Sequence, residues 1–414
     1  MTISRRALLA AGAAAGLLTA CGSNTGRGDD AGARPRLSQW YHQYGETGTE
    51  QAVERYAAAY PKAKVGVQWR PGNYDQQTAA ALLTDSGPDV FEGSPTLDQI
   101  QGGQVVDLTD LLDGVKDDFN PAVLTPKTYD GRIWGIPQVI DMQLLYYRRS
   151  LLGDAGVEPP DTLDALVDAA ARLTTKKVKG LFLGNDGGAG VLGGTPLYAA
   201  GLQLITGDGK VGFDDPAAAR TLAKVHQLYA DGSLLLGAPA DWSDPSAFLQ
   251  GLTAMQWSGL WALPQVQKEL GDDFGVLPFP GDGSGAPAVP VGAYGAAVSA
   301  RSRHQDTAKD FVKWLWVERT DYQEDFALSY GFHIPARVSL AKKAGKLKTG
   351  AAAEAVRLTT EHGYAQPLLW TPADQTAYQD ALSRIIRGGA NPESELRAVV
   401  RKVSAELDRV RKKS

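Results

Sequence analysis

The chain has 414 residues, 43% hydrophobic and 21% charged, with one cysteine and a formal net charge of −5. This is the composition of an ordinary globular protein of two or three domains, and it excludes a disordered, collagen-like or membrane-spanning chain. One cysteine excludes an intrachain disulfide and a cysteine-built zinc site, and the charge gives no electrostatic footprint for nucleic acid. Arg5 and Arg6 precede residues 7–20, which are Ala, Gly, Leu and one Thr. A positive start, a short apolar run and small residues predict a signal peptide over residues 1–20, since about 14 apolar residues are too few for a membrane span. Residues 21–36 are rich in Gly, Ser, Asn and Asp and read as a flexible tether. Strands follow at 37–41 and 65–69, with a helix over 47–60 between them. That helix has Val53, Tyr56, Ala57 and Tyr60 on one face and Pro61 as its stop. A helix over 74–84 leads to a strand at 89–91. A second series follows Tyr147: a helix over 163–173 with Asp161 as N-cap, a strand at 180–183, and helices at 196–205 and 216–229. Strands at 253–257, 276–279 and 289–299 come next, and from His304 the period is helical through a last helix over 392–413. Strands alternating with helices predict an α/β fold with mixed, largely parallel sheets.

Catalytic motifs do not emerge. HExxH, a Walker A loop and GxSxG are absent, and the five histidines (42, 226, 304, 333, 362) form no i, i+4 pair, so no metal site is predicted. Residues 207–212 match GxGxxG, but a helix precedes them and Phe213, Asp214 and Asp215 follow, which describes a glycine-rich turn. Ser339 and Lys342 match SxxK and Lys348-Thr349-Gly350 matches KTG, yet they are crowded together without an SDN element. The adjacent Asp214 and Asp215 are common turn chemistry. The expectation is a protein without catalytic residues, cofactor or metal.

Leu18-Thr19-Ala20-Cys21 resembles the bacterial lipobox, which implies lipidation of Cys21 after removal of residues 1–20, and residues 4–9 resemble a twin-arginine signal. Six further stretches, in order, resemble the extracellular solute-binding proteins of ABC importers, in their carbohydrate-binding group. Asp130-Gly131-Arg132-Ile133-Trp134-Gly135-Ile136-Pro137 resembles DGKxYGIP. Leu145-Tyr146-Tyr147-Arg148-Arg149-Ser150 resembles LYYNKDLF, with Arg148 in place of Asn. Residues 155–166 resemble AGLxxPPxTWDEL, with Leu163 in place of Trp. Residues 86–91 resemble GxxPDVF, 252–259 resemble GKAAMxxxG and 308–315 resemble AxxFIxWL. The resemblance implies a two-lobed, hinged, periplasmic-binding-protein-like fold with extra C-terminal helices. Lobe 1 would hold residues 37–146 and 293–335, and lobe 2 residues 147–292 with part of 336–414, the helices of 336–414 packing across both. It further implies a monomer, lipid-anchored at the extracellular face of the cytoplasmic membrane. This monomer would capture a carbohydrate, most naturally an oligosaccharide, between lobes that close around it, and deliver it to an ABC permease. A non-sugar solute, or a lipid-anchored glycosidase, are the alternatives.

Carboxylates and amides suit sugar hydroxyls and aromatic rings suit their CH faces. His42, Gln43, Tyr44 and Glu46 follow the first strand, where α/β crevices form. Glu92 ends the third strand, and Asp141 is an acid in an apolar run, which requires a partner or a use; Arg148 is the candidate partner. Trp257, Ser258 and Trp261 mark a strand-to-helix turn, with one of the two tryptophans expected in the core. Trp242 sits in an irregular segment, Gly292 and Tyr294 where the chain returns to the first lobe, and Trp370 before a C-terminal helix.

Overall fold

A computed structural model describes residues 34–412; the signal segment, Cys21 and most of the tether lie outside the described residues. The strands are β1 (Arg36–His42), β2 (Lys64–Arg70), β3 (Val90–Gly93), β4 (Thr128–Tyr129), β5 (Arg132–Ile133), β6 (Ile136–Pro137) and β7 (Val139–Arg148). They continue with β8 (Lys179–Phe182), β9 (Thr253–Gly259), β10 (Phe274–Leu277), β11 (Val289–Gly292), β12 (Gly295–Val298), β13 (Ile334–Pro335) and β14 (Gly363–Ala365). Two sheets organise two lobes. The first has the order β2-β1-β3-β12-β6, and the second β14-β11-β7-β9-β8, with β10 and β13 also paired to β7. β1 runs parallel to β2 and β3, whereas β12 runs antiparallel to β3 and β6.

The helix Thr49–Ala59 buries Ala52, Val53, Tyr56 and Ala57, the face that its spacing requires. It starts after Gly48, whose φ of 100° suits glycine and where a Cβ would meet the Tyr330 ring at 2.8 Å. β7 is the longest strand, and its side chains alternate between two cores. Leu144 and Tyr146 join a cluster that continues into the first sheet through Ile140, Ile136 and Val298. Leu145 and Tyr147 join one built with Leu181, Met255 and the helices Leu163–Leu173, Pro216–Ala230, Pro372–Ile386 and Pro392–Arg411.

Several boundaries differ from expectation. The helix Leu163–Leu173 is capped by Thr162, not Asp161. Thr162 is extended, directly precedes the first helical residue, and its hydroxyl accepts from Ala165 N at 3.2 Å. The helix expected over 196–205 is only Thr195–Ala199, because Gly201 at φ 77° turns the chain away. Glycines 207–212 close a hairpin-like turn in which Ile205 bridges Val211, and Asp215 caps the next helix by accepting from Ala217 N. The Ser339 hydroxyl is taken by Asp118 at 2.6 Å. The run 289–299 is two strands in two sheets. β11 pairs β7 in the second and β12 pairs β3 in the first, so the chain passes between the sheets at Ala293 and Tyr294. It passes in the other direction at Gln138, between β6 and β7, and Gln138 N donates to Tyr294 O at 3.3 Å.

Candidate functional site

Ala293 and Tyr294, at the return crossing, line the larger of two adjoining cavities of about 330 and 750 Å³. Val291, Gly292, Gln366 and Gln375 line both, so the cavities form one cleft between the sheets. Gly292 is exposed, pairs with Asp141 and has no atom within 4 Å of where a Cβ would stand.

The first-lobe wall of the larger cavity carries a buried carboxylate. Glu92 is 1% exposed, accepts from His42 Nδ1 at 2.5 Å and takes the Tyr44 hydroxyl on its other oxygen. Burial pulls the His42 pKa down, but Glu92 more than reverses this, so the imidazole binds its proton more tightly than usual. The His42 ring lies 4.8 Å from Tyr294 and 4.0 Å from Tyr44. Asp75 lines the same cavity, with its carboxyl pKa raised by burial despite His42. Lys127 also lines it: 2% exposed, it forms no ion pair among the described residues. Burial brings the ammonium pKa down to about 7. Its Nζ donates to Ser94 Oγ and to Ala293 O at 2.7 Å, and Ser94 Oγ donates to the same carbonyl at 3.0 Å.

The smaller cavity lies against the second sheet. Asp141 and Gln143 are the two half-buried residues at the cleft end of β7, two apart and therefore on one face. Asp141 is paired with His333 Nδ1, not with Arg148, which bonds Asp273 at 2.8 Å. His333 also reaches Glu46 through Nε2 at 3.3 Å. Trp261 is half-buried on the cavity wall, with its indole N–H on Ser243 O at 3.0 Å and its ring edge-on to Trp242 at 5.7 Å. Tyr364 also lines it, stacked on Tyr198 at 3.7 Å, with its hydroxyl against Thr195 at 2.8 Å.

The structure thus brings Glu92, Asp141, Trp261, Gly292, Tyr294 and the rim of Trp370 to the cleft. His42 and Tyr44 touch the cleft carboxylate Glu92. Glu46 is engaged by His333, Gln43 is exposed and lines neither cavity, and Trp242 supports Trp261 from behind. Two expectations need correction. Trp257 is fully buried in the second core and Ser258 is 1% exposed, because all seven residues of β9 are covered on both faces. Trp370 is 3% exposed and packs edge-on to Phe213 and Tyr378, leaving only a margin at the cavity. Sequence reasoning missed His333, Asp75, Lys127, Gln143, Tyr364, Gln366 and Gln375. Only Gln143 carried a readable signal, its period-two spacing from Asp141. Among the described residues, no group of three or more His, Cys, Asp or Glu could hold a metal ion.

Carboxylates, amides and ring faces line the cleft. The proteins to which the chain is similar are binding proteins. The diacetylchitobiose-binding protein DasA of Streptomyces coelicolor is 26% identical over 415 residues, covering 93% of this chain and 95% of that protein. The maltodextrin-binding protein MdxE of Bacillus subtilis is 26% identical over 292 residues, covering 66% of this chain and 67% of that one. Among solved structures, an ABC transporter solute-binding protein of Thermotoga lettingae bound with α-D-tagatose superposes with a TM-score of 0.77 at 21% identity, covering 90% of this chain and 100% of that one. The GacH receptor of Streptomyces glaucescens, solved unliganded and with acarbose, gives 0.76 at 23% identity, covering 91% and 99%. Residues 41–316 match the family described as bacterial extracellular solute-binding protein, and the chain belongs to that family.

Proposed function

We propose that this protein is the capture component of an ABC importer, that its ligand is a carbohydrate, and that this carbohydrate is an oligosaccharide. The observation that carries the reading is the cleft. Carboxylates at Glu92, Asp75 and Asp141 suit hydroxyl donors, and the half-buried faces of Trp261 and Tyr364 suit sugar CH surfaces. Two adjoining cavities give room for more than one ring. The names of the relatives, which bind diacetylchitobiose and maltodextrin, support the same class. Delivery to a permease from the extracellular membrane face, with Cys21 as the lipid attachment point, completes the reading; it rests on residues 18–21 and their resemblance to a lipobox. The lobes follow the two sheets, with the crossings at Gln138 and at Ala293 and Tyr294 as hinge.

The test is a thermal-shift and tryptophan-fluorescence screen over mono- and oligosaccharides. At least one oligosaccharide should move both signals, and Trp261→Ala should weaken its binding by about tenfold or more with little loss of stability. A panel that moves neither signal overturns the carbohydrate reading. Release of reducing ends by the purified protein would overturn the reading as a binding protein.

A further inference from the structure

Two buried tryptophans bond glutamines that line the cleft through their indole nitrogens. Trp257 Nε1 donates to Gln143 Oε1 at 2.9 Å, and Trp370 Nε1 donates to Gln375 Oε1 at 2.7 Å. The two pairs arise differently. In the β7–β9 ladder Trp257 stands opposite Leu145 and Gln143 opposite Gly259, so the indole reaches Gln143 along the diagonal of the antiparallel pair. Trp370 immediately precedes Thr371, the N-cap of the helix Pro372–Ile386, and Gln375 is the fourth residue of that helix. They occupy the two positions of a helix-entry staple, closed here by a hydrogen bond instead of an apolar contact.

An indole N–H donates and cannot accept, so it settles which way each amide faces. The carboxamide oxygen turns inward to the tryptophan, and the NH₂ group, with two protons to give, turns away. Both glutamines are half-buried and line the cleft, and neither amide nitrogen has a protein acceptor among the described residues. The first-lobe wall offers carboxylates, which accept; the second-lobe wall offers, beside the carboxylate of Asp141, two amides fixed as donors.

We infer that Trp257 and Trp370 are positioning residues that set the hydrogen-bond polarity of Gln143 and Gln375 in the second-lobe wall, and that the ligand atoms at these two glutamines are oxygen acceptors. In a carbohydrate these are ring, glycosidic or acylamino carbonyl oxygens, or hydroxyl oxygens whose protons point elsewhere. The ligand therefore lies with proton-giving hydroxyls toward Glu92, Asp75 and Asp141 and with oxygen acceptors at Gln143 and Gln375. This rests on the carbohydrate reading.

The test uses the oligosaccharide that wild-type protein binds best in a panel containing diacetylchitobiose, cellobiose and maltotriose, measured by calorimetry with melting temperature in parallel. Gln143→Met and Gln375→Met, close in shape but without donors, should each weaken binding by about tenfold. Gln143→Glu and Gln375→Glu, which still accept from the indole but offer the ligand an acceptor, should weaken it at least as much. Trp257→Phe should weaken binding in the wild-type background and cost nothing further beside Gln143→Met, because it acts through that amide. Glutamate variants that bind as well as wild type would overturn the assigned polarity. Methionine variants with unchanged affinity would remove the glutamines from the site. A Trp257→Phe loss that adds fully to Gln143→Met would make Trp257 purely structural. Failure of wild type to bind any sugar would instead strike the carbohydrate reading.

Discussion

His333 shows how one residue ties a cleft together. It is 4% exposed and lies between Asp141 on the crossing strand and Glu46 in the loop after β1. Burial by itself would drive the proton off, but Asp141 and then Glu46 outweigh it, and the pKa rises from 6.5 to about 10. The folded state therefore holds this proton more tightly than the unfolded chain. The stabilisation is complete below about pH 6.5 and is lost as pH rises through about 10. Denaturant melts of wild type should lose stability between pH 7 and 10.5 more steeply than those of His333→Gln; parallel curves would refute the double pairing. Nothing local announces this role, since His333 stands about 190 residues beyond Asp141. Asp141, by contrast, was legible because an acid inside an apolar strand requires a partner, although sequence alone named Arg148 as that partner. The tryptophans were half legible. Aromatic abundance suggests a sugar site, but whether a ring faces the core or the cleft depends on which elements cover the strand.

At the scale of elements, close packing dictates sequence in ways that a hydrophobic pattern does not display. β8 runs so near the helix Leu163–Leu173 that a Cβ on Gly180 would stand 1.9 Å from Ala170 O. That neighbour is backbone and cannot rotate aside, so Gly180→Ala should destabilise by about 3 kcal/mol. Gly207→Ala, with no atom within 4 Å, should stay within about 0.5 kcal/mol. Equal losses in urea melts would contradict the packing described here. The helices Thr49–Ala59, Leu163–Leu173 and Pro216–Ala230 were legible to within a residue or two at each end, from their periods and punctuation by Gly, Pro and capping side chains. The run from Val289 to Ser299 was legible as extended backbone only. Neither Val289-Pro290-Val291-Gly292 nor Gly295-Ala296-Ala297-Val298 carries a pattern that assigns it to a sheet, and pairing partners distant in sequence decide that one belongs to each.

For the molecule as a whole, a ligand that touches both walls binds the native state and not the unfolded chain. An oligosaccharide at a hundred times its Kd should therefore add about 2.7 kcal/mol to the unfolding free energy, and its scattering radius should fall as the lobes approach. A stabilisation without any change in radius would mean that the cleft does not close. The lobes are also held together away from the crossings, where Arg409 of the last helix meets Asp98 of the first lobe at 3.0 Å. This exposed pair is screened by solvent and weak beside a ligand's binding energy. The crossings themselves are mechanically unequal. Lys127 and Ser94 grip the carbonyl of Ala293 from the first lobe, whereas Gly292, one residue earlier, has open space around it and belongs to the ladder of the second. Closure should therefore leave the Ala293 carbonyl with the first lobe and Gly292 with the second, so that rotation at this crossing takes place at the floor of the ligand's own cavities.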